Sequence, residues 1–132
     1  MKRTIITAAF LLALSAITSA QRKTGGDRDK HGCIASAGYT YSEIKKKCIR
    51  VFDEDIRLTE VDHSKSSTSM AAVIFSKDHK KAEVFLPDFP DGQIFLKKGT
   101  KNAWKKGSYV LTNSNGYEIR KNKKLVYSSN IK

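Results

Sequence analysis

The sequence predicts an all-β protein: a small antiparallel β-barrel-like meander with an N-terminal disulfide-bounded hairpin. Three observations carry that expectation. From Ser69 onward, turn signals recur about every 8–12 residues, the interval of short antiparallel strands. Over the same stretch no apolar pattern sustains a helical period. Ahead of it stand the only two cysteines, Cys33 and Cys48, bracketing a short loop.

The chain opens like a secretory leader. Lys2 and Arg3 precede an apolar run from Ile5 to Leu14, broken only by Thr7. Small residues follow, with Thr18 and Ala20 set three and one residues before a cut ahead of Gln21. Residues 1–20 therefore read as a cleavable signal peptide. The apolar run is shorter than the roughly 20 residues that span a bilayer. No second run follows, so no transmembrane segment is expected in the mature form. No cysteine follows the cut, so no bacterial lipid-anchor site is read there. The expected location is periplasmic or secreted.

Lys2 and Arg3 are two of the 25 basic residues, and the leader holds none of the 13 acidic ones, so residues 21–132 carry 23 − 13 = +10. Such a charge draws anionic partners and says nothing about fold. Outside the cytoplasm those partners are anionic glycans, lipid headgroups and acidic proteins, with no nucleic acid expected. A lysine-rich surface kept for solubility explains the same charge.

Residues 21–31 are polar, charged and glycine-bearing, and read as a flexible tail. Residues 32–58 read as the disulfide hairpin module with its exit strand. In an oxidising compartment Cys33 and Cys48 pair. Residues 59–68 read as a polar loop or linker. Residues 69–132 read as the β domain. Its strand cores are Met70–Phe75, Ala82–Leu86, Ile94–Leu96, Ala103–Trp104, Tyr109–Leu111, Tyr117–Ile119 and Leu125–Tyr127. Turns are expected at 76–79, at 87–92, at Asn113–Gly116, which ends in the hairpin dipeptide Asn-Gly, and at 121–123. Seven short strands must curl to hide their edges, and closure is the simplest way. The expected buried set is Val73, Phe75, Val84, Leu86, Ile94, Leu96, Leu111, Ile119 and Leu125.

The search for chemistry is brief. His31, His63 and His79 fall in the tail, the linker and a turn, without ligand-spaced partners, so neither a metal nor a cofactor is expected. Asp53, Glu54 and Asp55 cluster on an extended run with no opposing base, and read as a solvated face or edge protection. Asp88 and Asp91 fit turn chemistry. No nucleophile motif or phosphate loop is present. The reading is a binding protein and not an enzyme. Trp104 stands out because Lys101, Lys105, Lys106 and the glycines 99 and 107 surround it. It reads equally as a core plug or as a contact residue on a projecting loop.

The stretch from Ala71 to Ser128 resembles the periplasmic inhibitors of c-type lysozyme. The likeness rests on Val73-x-Phe75, Ala82-x-Val84-x-Leu86-Pro87, Ile94-x-Leu96-Lys97-Lys98, Trp104-x-x-Gly107, and the closing Gly116, Ile119, Lys123, Leu125 and Tyr127. The segment from Gly32 to Arg50 resembles a short disulfide-hairpin module found beside exported domains. The inhibitor resemblance implies a β-barrel that plugs a lysozyme cleft with two loops. A Ser-Gly-x-x-Tyr segment of that family falls here on Thr100–Trp104, and a Lys-Gly turn falls near Ser114, Asn115 and Gly116. A hydroxyl and an aromatic are kept in the first; serine, glycine and the second loop's lysine are not.

The leading expectation is thus a lysozyme-inhibitor-like envelope protein that inserts a Trp/Lys loop into a glycan-hydrolase cleft. Its site residues would be Thr100, Lys101, Trp104, Lys105, Lys106, Ser114 and Asn115. The alternative is a basic envelope module that holds anionic glycan or lipid headgroups.

Overall fold

The computed structural model describes residues 27–64 and 67–130. The expected leader and residues 21–26 of the expected tail lie outside the described residues. The described chain is built from ten strands and two single 3₁₀ turns: β1 (Tyr39–Ser42), β2 (Lys47–Arg50), β3 (Ile56–Glu60), β4 (Met70–Phe75), β5 (Lys81–Leu86), β6 (Phe89–Lys97), β7 (Ala103–Lys106), β8 (Tyr109–Asn113), β9 (Tyr117–Lys121) and β10 (Lys124–Ser128). Strands β1 and β2 form a separate antiparallel hairpin, and β3 to β10 form a closed antiparallel barrel in the order β10-β3-β4-β5-β6-β7-β8-β9.

The barrel takes one more strand than the seven read after Ser69. Ile56–Leu58, expected as the module's exit strand, and Thr59–Glu60 of the expected linker together make β3. This strand pairs with β4 on one side and β10 on the other, and without it the sheet has two edges. A 3₁₀ turn at Val51–Asp53 separates β2 from β3.

Alternation along the strands fills the barrel, with register shifts in β10 and between β5 and β6. Leu58, Ala71, Val73, Ala82, Val84, Leu86, Phe95, Trp104, Leu111, Ile119 and Tyr127 form one buried cluster. Of the expected core, Val73, Val84, Leu86, Leu111 and Ile119 are buried. Phe75 packs half-buried at one end of that cluster. Ile94 and Leu96 are corrections, because Phe95 between them points inward and Leu96 is left 58 % exposed. Strand β6 is apolar on both faces, so its pattern does not choose a face, and a one-residue change of register exchanges the two. Leu125 is also only half-buried, beside a register shift between Leu125 and Tyr127.

The hairpin module covers the outside of β4 and β5. Ile49 buries against Ala72, Ile74 and Phe85, with Ile44 and Val51 packed around them. Beneath the β1–β2 turn lies Glu83, a carboxylate only 1 % exposed. It accepts hydrogen bonds from Ser42 Oγ at 2.6 Å, Glu43 N–H at 2.7 Å and Ile44 N–H at 3.4 Å. The ring of Phe85 lies over Gly92, where an added Cβ would meet it at 2.7 Å.

Residues 27–31, expected to belong to the flexible tail, are tied down. Asp27 accepts from Ser36 N–H and Oγ at 2.6 and 2.7 Å, Arg28 bridges to Ile34, and Asp29 accepts from His31 and Cys33 N–H. The Cys33–Cys48 disulfide joins this segment to β2 with Cα atoms 5.5 Å apart. Its closed loop has a sequence separation of 15. A loop of that length contributes about 3 kcal/mol in the chain-entropy model. Replacing both cysteines by serine is therefore expected to lower Tm by roughly 10–20 °C. Hydrogen exchange should place the loss in residues 27–55. Uniform loss across the barrel would contradict a module that docks on it as a separate layer.

Candidate functional site

Successive hairpins alternate between the two ends of the barrel. One end, called the upper rim here, gathers the turns at 76–80, 98–102 and 114–116; the other gathers those at 87–88, 107–108 and 122–123.

The upper rim is built from short local devices. Ser76 Oγ and Lys80 N–H donate to Asp78 at 2.7 and 3.0 Å and hold its carboxyl below the usual carboxylate range. His79, at φ 57°, presents its carbonyl oxygen to Trp104, whose Nε1–H donates at 2.7 Å. Lys98 N–H donates to Ala103 O, and Ala103 N–H to Lys101 O, closing the 98–102 turn. Asn113 N–H donates to Asn102 O at 3.1 Å and draws the next turn against it. Asn130 Nδ2 donates to Asn115 O and braces that turn from the chain end. Gly116 sits at φ 102°, a conformation that suits glycine.

The structure divides the expected site residues. Thr100, Lys101, Ser114 and Asn115 are exposed together on the upper rim, from two different hairpins. Trp104 is 3 % exposed and belongs to the barrel core, where it packs on Phe75 with ring centroids 4.7 Å apart. The projecting Trp/Lys loop is therefore a correction. Ala103–Lys106 is strand β7, paired on both sides, and alternation sends the Trp104 ring inward. Lys105 is exposed on the outer wall between Leu96 and Val110, and Lys106 pairs with Tyr109 at the opposite end. Neither stands beside Lys101.

The lower rim carries a cluster that the sequence reading missed. Tyr109 OH donates to Asp88, Lys121 Nζ lies 3.6 Å from the same carboxylate, and that ammonium sits 5.3 Å from the Tyr109 ring centroid. A cavity of about 400 Å³ beside them is bounded by Glu60, Ser69 and Tyr127. Ser69 Oγ donates to Glu60 at 2.8 Å and lies 2.9 Å from Tyr127 OH. Asp88 was read as turn chemistry, and no local spacing links positions 88, 109 and 121. Only barrel closure brings them together.

Burial, reinforced by Asp88, pushes the Tyr109 hydroxyl up, and the hydrogen bond with Tyr109 pushes the Lys121 ammonium up. The trio acts as a clamp between the β5–β6 turn and β8 and β9. In the acidic run at 53–55, Asp53 and Asp55 are exposed as a solvated face, while basic partners do stand nearby: Glu54 meets Lys45 at 2.7 Å, and Asp53 lies 3.9 Å from Arg50.

Among the described residues no helix is long and apolar enough to cross a membrane. No protein-family profile, curated protein or solved structure matches the chain. The resemblance to the lysozyme inhibitors stands on the sequence pattern alone.

Proposed function

We propose that this is an exported, non-catalytic binding protein whose upper rim meets the cleft of a lysozyme-like glycan hydrolase. The observation that carries this reading is the convergence of Thr100, Lys101, Ser114 and Asn115 from two hairpins, locked by the Asn113–Asn102 hydrogen bond. The Lys101 ammonium is the group that addresses the paired carboxylates of such a cleft. The hydroxyls of Thr100 and Ser114 and the Asn115 amide flank it. Trp104 supports the rim from beneath. The formal +10 of residues 21–132 narrows the target to hydrolases that present an acidic face.

Inhibition assays against lysozymes of several classes test the reading. A charge-assisted contact shielded from water contributes about 1.5–3 kcal/mol. Lys101→Ala is therefore expected to raise the inhibition constant by roughly 10-fold or more, while Lys124→Ala, on the far end of the barrel, leaves it unchanged. Failure of the wild type against every lysozyme, or equal inhibition by both variants, would end the proposal.

A second reading, a basic module on anionic envelope glycan or lipid headgroups, is favoured by the barrel wall between β5 and β10, where cations and apolar side chains alternate.

A further inference from the structure

The outward residues at one level of the barrel form a single cross-strand row. Lys81 on β5 pairs with Leu96 on β6, Leu96 with Lys105 on β7, Lys105 with Val110 on β8, Val110 with Arg120 on β9, and Arg120 with Leu125 on β10. Cation and aliphatic side chain alternate without a break across six strands. Their neighbours Ala82, Phe95, Trp104, Leu111 and Ile119 point into the barrel, which sets the row on the outside. Leu96, Val110 and Leu125 belong to neither buried cluster. Leu96 is among the most exposed large apolar residues, at 58 %.

Three features select an occupant. The row follows a curved wall through six of the barrel's eight strands, so a flat bilayer touches only part of it, whereas a flexible chain can follow all of it. The cations recur every second strand, about 9.6 Å apart at the backbone, comparable to one disaccharide along an extended polysaccharide. Between them the aliphatic side chains offer apolar surface to the C–H faces of sugar rings. Lys81 and Lys105 have no acidic partner within the row. Arg120 shares its guanidinium with Glu118 at 2.7 Å and is the weakest of the three.

The track also continues past its β5 end. Lys81 borders a groove of about 820 Å³ between the hairpin module and the barrel, with Lys77 on its rim and Ile44 and Ile94 in its walls. Lys45 and Lys46, also at the groove, are turned toward Glu54 and Glu43.

We propose that this row binds a linear acidic polysaccharide carrying one anionic group per disaccharide, laid across the strands with its charges at Lys81, Lys105 and Arg120. The inference rests on the second of the two readings above, and its surface is separate from the upper rim and does not depend on the lysozyme reading.

The test uses hyaluronan oligosaccharides of increasing length, with neutral dextran and phosphatidylglycerol vesicles beside them. Reaching all three cations takes about three disaccharides, so affinity is expected to climb up to the hexasaccharide and then level off. Exposed ion pairs contribute up to about 1 kcal/mol each, so Lys81→Gln and Lys105→Gln are each expected to weaken hexasaccharide binding by up to about fivefold. Leu96→Ser should weaken it further without changing Tm. The same variants should keep whatever lysozyme inhibition the wild type shows, which separates this surface from the rim. Equal binding of disaccharide and hexasaccharide, binding unchanged in the lysine variants, or no binding at low salt would overturn the proposal. Vesicle binding lost in those variants, with the oligosaccharides ignored, would assign the row to lipid instead and overturn it as well.

Discussion

Trp104→Ala is expected to cost about 3–5 kcal/mol, the range for emptying a large aromatic site in a packed interior. Trp104 fills the upper part of the barrel against Phe75, and its indole N–H ties the 76–80 turn to β7 through His79 O. Truncation removes the plug and leaves that carbonyl oxygen without its donor. For a domain whose whole stability is about 5–15 kcal/mol, the variant should be partly unfolded at room temperature, with Tm lower by roughly 15 °C or more. Trp104→Phe refills most of the volume and loses only the hydrogen bond, a cost of about 1–2 kcal/mol. Thermal and urea unfolding of the three proteins checks both values. Because Trp104 is the only tryptophan, wild-type fluorescence should be blue-shifted and protected from iodide. A Trp104→Ala protein with wild-type Tm would return the side chain to the surface and reopen a direct contact role.

Glu83→Ala is expected to cost about 3 kcal/mol and to release the hairpin module from the barrel. The carboxylate lies between Ile74 and Ile94 on neighbouring strands, with water excluded. It is the common acceptor for Ser42 Oγ and the Glu43 and Ile44 amides. Removing it strands those donors in an apolar setting, where each unsatisfied group costs about 1–3 kcal/mol. The module relieves that cost by lifting away, which exposes Phe85 and Ile74. Glu83→Gln keeps one carbonyl acceptor and turns an NH₂ group toward the remaining donors, so an intermediate loss is expected. Hydrogen exchange at the Glu43 amide and limited proteolysis within residues 39–50 read the release directly. If Glu83→Ala left both unchanged, the module would be held by its apolar contacts alone.

Much of the fold is legible because strands announce themselves by local chemistry. The Asn-Gly before Tyr117 forms the β8–β9 turn, and the Asn122 and Lys123 pair, both at positive φ, forms the tight β9–β10 turn. The alternation Ala82, Val84, Leu86 assigns the inner face of β5 correctly. The same alternation hides what covers the outer face: Glu83 and Phe85 are buried because a distant segment docks there, which no local pattern contains. The candidate site was legible in part. Thr100, Lys101, Ser114 and Asn115 were singled out through the inhibitor resemblance, and the turns that carry them lie side by side on one rim. For Trp104 the core plug is the one of its two readings that the barrel realises, and the sequence did not choose between them because lysine and glycine neighbours look the same around a core plug as around a loop tip.

The sequence alone determined the strand count after Ser69, most of the turns, the disulfide partners and the class of fold, since each rests on interactions between residues close along the chain. Tertiary structure decided which face of β6 is inside, that β3 closes the barrel, and that Asp88, Tyr109 and Lys121 meet. It also decided that six outward side chains line up as one alternating row. Each of these depends on strand register across the sheet, and a shift of one residue moves every side chain of a strand to the opposite face. Register is set by the packing of the whole interior, with Phe95 and Trp104 filling it and Leu96 and Lys105 left outside, so it belongs to the closed barrel and not to any single segment.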